Sequence, residues 1–105
     1  MEFIETSIFT KQIQDLFDDE SYRELQKQLM YRPDSGAVIP GSGGLRKIRW
    51  AGSNRGKRGG TRIIYYNLHT DGMCLMLYAY AKNAMEDLTK SQLQRLSALV
   101  KEELI

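Results

Sequence analysis

Apolar positions in the first third of the chain recur every three or four residues, whereas further on they gather into runs. Residues 2–6 (EFIET) alternate loosely, which predicts a short strand. Ile8, Phe9, Ile13, Leu16 and Phe17 then fall at helical spacing. Asp18 and Asp19 can cap a second helix and place negative charge in its first turn. Its apolar side would carry Tyr22, Leu25, Leu29 and Met30, and Pro33, followed by Asp34 and Gly36, stops it.

A glycine-rich connector, Pro40 to Gly44, leads into Leu45 to Trp50, and a loop from Ala51 to Gly60 leads into Thr61 to Leu68. Both flanking runs are rich in β-formers and the loop in Gly, Ser and Asn, so an antiparallel hairpin is predicted. Asp71-Gly72 is a tight-turn signal, and the apolar run MCLMLYAYA from Met73 to Ala81 reads as a central strand. Thr89 and Gln92 form a capping-box pattern. Leu93, Leu96, Leu99, Val100 and Leu104 then share one face of a last helix. The expected class is α+β: an N-terminal strand plus a three-strand meander in a small antiparallel sheet, with two N-terminal helices and a C-terminal helix against one face. A length of 105 residues is that of one domain, 1–105.

Charge sharpens this picture. The net charge is +2, but residues 1–42 carry four basic and eight acidic groups, residues 43–62 carry seven and none, and residues 63–105 carry four and five. All the excess positive charge therefore lies in GGLRKIRWAGSNRGKRGGTR, and charge concentrated this way attracts phosphate. Hydrophobic residues at 42% and charged ones at 27% are an ordinary globular mix. No apolar run approaches the ~20 residues of a membrane span. MEFIETSIF has no leader character, and a single cysteine, Cys74, forms no internal disulfide and fits a reducing compartment. A cytoplasmic protein without membrane contact is expected.

Several chemistries are not supported. One histidine and one cysteine, far from any ligand spacing, argue against zinc and iron-sulfur sites, so no metal or other cofactor is expected. His69 lies in the predicted turn, and Cys74 in an apolar strand reads as a small core side chain. No GxxxxGK[ST] motif occurs, and GSGG at 41–44 precedes a strand where a dinucleotide loop requires a helix. The acidic run Asp18, Asp19, Glu20 reads as a helix start.

Strand alternation makes the basic residues more informative. Lys47 and Arg49 point to one face, and Arg46, Ile48 and Trp50 to the other, where Arg46 and Trp50 read as structural. Arg62, Ile64 and Tyr66 share a face, as do Met76, Tyr78, Tyr80 and Lys82. If these faces coincide, Lys47, Arg49, Arg62 and Lys82 converge beside tyrosines. A solvated face that keeps the sheet edge soluble fits this pattern. So does a groove for RNA, which holds the backbone by charge and bases by stacking. Arg55, Lys57 and Arg58, in the glycine-rich tip, would hold RNA loosely.

Three segments, FDDESYRELQKQLMYRP, GGLRKIRWAGSNRGKRGGTRIIYYN and YAYAKNAMEDL, resemble the HigB branch of the RelE-type toxins of bacterial type II toxin-antitoxin systems, and the resemblance spans nearly the whole chain. It implies a RelE-like microbial ribonuclease fold and a ribosome-dependent mRNA endonuclease that cuts by attack of a ribose 2′-hydroxyl on the adjacent phosphate, without metal. The matching positions are Lys47 and Arg49 before the hairpin loop, Arg62 opening the next strand, and Lys82 after the apolar strand. These are the expected catalytic residues, with Arg55, Lys57, Arg58, Tyr66, Tyr80 and Asn83 binding RNA. RelE itself has an arginine where this chain has Asn83 and a tyrosine near Thr89. Expected partners are a cognate antitoxin carrying a helix-turn-helix, the ribosome and mRNA, with operator DNA reached only through the antitoxin complex.

A lysine flanked by arginines can serve in proton transfer, because clustered cations disfavour one more charge. Lys47 or Lys82 would take that part, while Arg49 and Arg62, whose guanidinium groups bind oxygens bidentately, would stabilise the phosphoryl transition state. A non-catalytic RNA- or ribosome-binding module would use the same face.

Overall fold

A computed structural model describes residues 1–51, 60–68, 72–85 and 87–104. The elements in chain order are β1 (Glu2–Glu5), α1 (Ser7–Leu16), α2 (Asp19–Tyr31), β2 (Ala37–Val38), β3 (Arg46–Trp50), β4 (Thr61–Leu68), β5 (Met73–Ala81) and α3 (Lys90–Leu104). They make an α+β fold around one sheet of order β1-β5-β4-β3-β2. Among the described residues no helix is long and apolar enough to cross a membrane.

Side-chain caps set the helix starts. The Thr6 hydroxyl accepts from Phe9 N–H at 3.0 Å to open α1, and the Asp18 carboxylate accepts from Ser21 N–H at 2.8 Å to open α2. Asp19 and Glu20 add negative charge to the first turn of α2. The capping box of α3 forms in both directions, Thr89 N–H to Gln92 Oε1 at 2.8 Å and Gln92 N–H to Thr89 Oγ1 at 3.1 Å. On α2, Leu25 and Leu29 are buried, but Met30 is 53% exposed. One residue past Leu29 turns a side chain about 100° around the helix and out of the apolar stripe.

Two expectations about the sheet need correction. It is mixed, because β1 runs parallel to β5, pairing Glu2 with Met73 through Glu5 with Met76, and the two-residue β2 extends it beyond β3. The helices also cover both faces. Phe9, Ile13, Phe17, Leu25 and Leu29 of α1, α2 and their junction pack with Ile48, Ile63, Tyr65 and Met76. Leu96 and Val100 of α3, with Leu88 before it, pack with Leu45, Ile64, Leu75 and Leu77 on the other side. The reason is in β4 and β5, whose neighbouring residues Ile63 and Ile64 are both fully buried. Strands apolar on both sides must be covered on both.

β1 is four residues long and β5 nine, so half of β5 would lack a neighbour on that side. The start of α1 supplies one. Thr6 N–H donates to the Met76 carbonyl at 3.0 Å, the Thr6 hydroxyl donates to the Leu77 carbonyl at 2.9 Å, and Gln12 Oε1 accepts from Ala79 N–H at 2.8 Å. Leu77 itself is a β-bulge. The β4–β5 register passes from Ile64 opposite Tyr78 to Tyr65 opposite Met76, leaving Leu77 as the extra residue. Alternation is reset there, so Met76 faces α1 and α2 while Tyr78 and Tyr80 face α3, contrary to the expectation that the three share a face.

The turn after α2 is clamped from β3 and β4. The Tyr65 hydroxyl donates to the Pro33 carbonyl at 2.8 Å and accepts from Gly36 N–H at 2.9 Å, and Arg46 donates to the Gly36 carbonyl at 2.6 Å. A Cβ on Gly36 would lie 2.8 Å from the Tyr65 ring and 2.9 Å from the Lys47 carbonyl, so this approach requires glycine. Arg46 and Trp50 thus serve the fold, as their strand parity implies. Tyr65→Phe leaves two polar backbone groups without this partner and is expected to lower unfolding stability by about 1–3 kcal/mol. The check is urea denaturation, with a lower midpoint at unchanged slope.

Candidate functional site

Register decides which basic side chains meet. Arg49 of β3 stands opposite Arg62 of β4, and Lys47 stands opposite Ile64. On the other side of β4, Arg62 is opposite Tyr80 and Ile64 opposite Tyr78. Lys47, Arg49, Arg62, Tyr78 and Tyr80 therefore occupy one face across three adjacent strands. Arg49 is exposed, and Arg62 and Lys47 are half-buried. Two arginines directly across a strand pair repel one another, a cost that a bound anion would relieve.

Tyr80 is 5% exposed and its ring centroid lies 6.2 Å from that of Tyr78. Burial raises the pKa of its phenol, the negative charge of Asp87 adds to this, and the positive charge of Arg62 opposes it. At physiological pH the group is a neutral O–H donor. The hydroxyl is fully buried beside the Asp87 carboxylate, which is the acceptor within its reach. With ring and hydroxyl both covered, Tyr80 offers no open stacking surface and acts on the site from beneath it.

The other expected residues are placed differently. Lys82 and Asn83 are exposed in the turn that follows β5, where Lys82 N–H donates to the Gly60 carbonyl at 3.2 Å. That bond anchors the turn beside the end of the β3–β4 hairpin, two residues beyond Tyr80. Tyr66 shares the face of Arg62 but sits four residues along β4, half-buried against Gly44, where it borders a small cavity with Ser42, Leu45, Ser97 and Val100. A cavity wall under α3 is therefore its place, apart from the three cations. Arg55, Lys57 and Arg58 lie outside the described residues, as does His69.

Sequence reasoning missed Asp87. Its Oδ1 lies 3.4 Å from Lys47 Nζ and accepts from Leu88 N–H at 3.0 Å, so the segment entering α3 is tied across the sheet to β3. No local signal marked it, since Asp87 stands just before the capping box and its partner lies forty positions earlier. Cys74 is buried on the opposite face, and burial pushes its thiol up to about 12, which leaves it protonated and unreactive. Among the described residues no three His, Cys, Asp or Glu side chains gather as metal ligands would.

No protein-family model matches the chain. Among solved structures it is similar to the Escherichia coli toxin RelE, a double arginine-to-alanine mutant in the free state. The TM-score is 0.56 at 16% sequence identity, over 81% of this chain and 86% of that one. The two share a fold. Within this fold the described chain places three cations, one neutral hydroxyl and one carboxylate at the end of the sheet. Such a set can hold a phosphodiester by its oxygens and can move a proton beside it.

Replacing Arg49 by Gln removes the Arg49–Arg62 cross-strand repulsion and is expected to raise stability by about 0.2–1 kcal/mol at low ionic strength. Thermal unfolding should show that gain shrinking as salt is added, because screening weakens the repulsion in the parent protein.

Proposed function

We propose that residues 1–105 form a toxin of the RelE type, of its HigB branch, acting in the cytoplasm as a ribosome-dependent mRNA endonuclease and silenced by a cognate antitoxin. The observation that carries this reading is the shared face of Lys47, Arg49 and Arg62, set in a fold similar to RelE. The order of the quoted motifs supports the HigB assignment. In the proposed reaction the 2′-hydroxyl of one nucleotide attacks the phosphate that follows it, and the 5′-oxygen of the next nucleotide leaves in line. Arg49 and Arg62 would bind the non-bridging oxygens, whose charge grows in the transition state. Lys47 or Lys82 would act in proton transfer, and Arg55, Lys57, Arg58 and Asn83 would hold RNA outside the reacting bond. Tyr66 and Tyr80, half-buried and buried, would back the surface on which RNA lies.

The antitoxin proposed as partner carries a helix-turn-helix, and the complex reaches operator DNA through it. Induced expression followed by mapping of mRNA ends tests the whole reading. New ends in phase with codons are expected, whereas growth arrest with intact messages would identify a module that binds RNA or ribosome without cutting. Arg62→Ala is expected to slow cleavage on translating ribosomes by roughly 10²-fold, with circular dichroism unchanged. A variant as toxic as the parent would remove Arg62 from the site.

A further inference from the structure

The pair formed by Asp87 and Lys47 suggests how this site moves protons. Cleavage by a 2′-hydroxyl needs a group that accepts the hydroxyl proton and one that gives a proton to the departing oxygen. Guanidinium groups do neither, because they stay protonated. Tyr80 carries its proton at physiological pH. Lys47, as the cation of an ion pair, has a proton to give and none to take. Asp87 is the carboxylate that the described residues bring to this face, and its side chain is 69% exposed, open to a substrate as well as to Lys47.

We propose that Asp87 is the proton acceptor of the cleavage site and Lys47 its paired proton donor, an assignment that rests on the endonuclease reading above. The Asp87 carboxylate takes the proton of the 2′-hydroxyl as the bond from that oxygen to phosphorus forms. The bond from phosphorus to the 5′-oxygen breaks, and the leaving oxygen takes a proton from the Lys47 ammonium. The products are a 2′,3′-cyclic phosphate and a 5′-hydroxyl. Asp87 is left as the acid and Lys47 as the amine, and the proton returns across the 3.4 Å between them. The pair is then as it began, without metal or outside co-reactant.

Two further features suit Asp87 to this role. Its Oδ1 is fixed by Leu88 N–H at 3.0 Å, which leaves Oδ2 as the oxygen able to turn toward substrate. Two strands of the site present groups to it: Lys47 of β3, its ion-pair partner, and Tyr80 of β5, which stands opposite Arg62 of β4. The neutral Tyr80 hydroxyl, buried beside the carboxylate, is placed to donate to it.

Asp87→Asn is the diagnostic change because it keeps the side-chain shape and an oxygen to accept from Leu88 N–H, while removing the basic oxygen. The experiment measures single-turnover cleavage of a short mRNA on programmed ribosomes, using the full chain. Binding is measured to the same mRNA carrying a 2′-deoxy nucleotide at the cut site. Asp87→Asn is expected to slow cleavage by about 10²- to 10⁴-fold. It should bind the uncleavable RNA as tightly as the parent or more so, while Asp87→Glu recovers part of the rate. Cleavage by Asp87→Asn at close to the parent rate would overturn the assignment and leave the endonuclease reading standing. Parallel loss of binding and rate would also overturn it, by making Asp87 a structural or binding residue. A parent chain that fails to cut on ribosomes overturns the endonuclease reading itself, and this assignment with it.

Discussion

The bulge at Leu77 is the constraint on which the rest of the structure depends. With regular alternation through β5, Tyr78 and Tyr80 would share the side of Met76, under α1 and α2. The extra residue turns both toward α3, which sets Tyr80 opposite Arg62 and brings a hydroxyl to the basic cluster. The same residue serves the other edge of β5, where its carbonyl accepts from the Thr6 hydroxyl that also caps α1. One irregularity thus joins the start of the first helix, the central strand and the candidate site.

Around this point the fold holds its charges in an arrangement that would be unfavourable elsewhere. Arg49 and Arg62 face each other across the sheet, while the carboxylate that answers Lys47 comes from the segment entering α3. The sheet sets the spacing of the cations, and the helix on that face carries the anion to them. The Arg46 and Tyr65 contacts to the turn at Pro33–Gly36 stiffen β3 and β4 from the opposite side. Side chains on the same strands therefore divide the work, Arg46 and Tyr65 supporting the backbone on one face and Lys47, Arg49 and Arg62 holding the charge on the other.

Much of this was legible in the sequence wherever a local rule governs. Asp18 and the Thr89–Gln92 capping box marked helix starts, β-formers on either side of a polar loop marked the hairpin, and the bounds of β4 and β5 came out as expected. Parity in β3 and β4 placed Lys47, Arg49 and Arg62 together because those strands keep regular alternation. MCLMLYAYA hid its bulge because a strand buried on both sides shows no polar alternation to reset. The parallel pairing of β1 and the covering of both faces depend on contacts distant in sequence. Asp87 escaped notice because its meaning comes from Lys47, forty positions earlier.

The two outer strands, β1 and β2, hold four and two residues, and β1 begins and ends on a glutamate. Edge strands this short, with charge at both ends of β1, give another chain little backbone to zip onto, which guards a sheet against fibre-like stacking. β2 pairs with Arg46 and Lys47 alone, so along Ile48–Trp50 no described strand covers the outer edge of β3, and backbone recognition by another chain is confined to that short stretch.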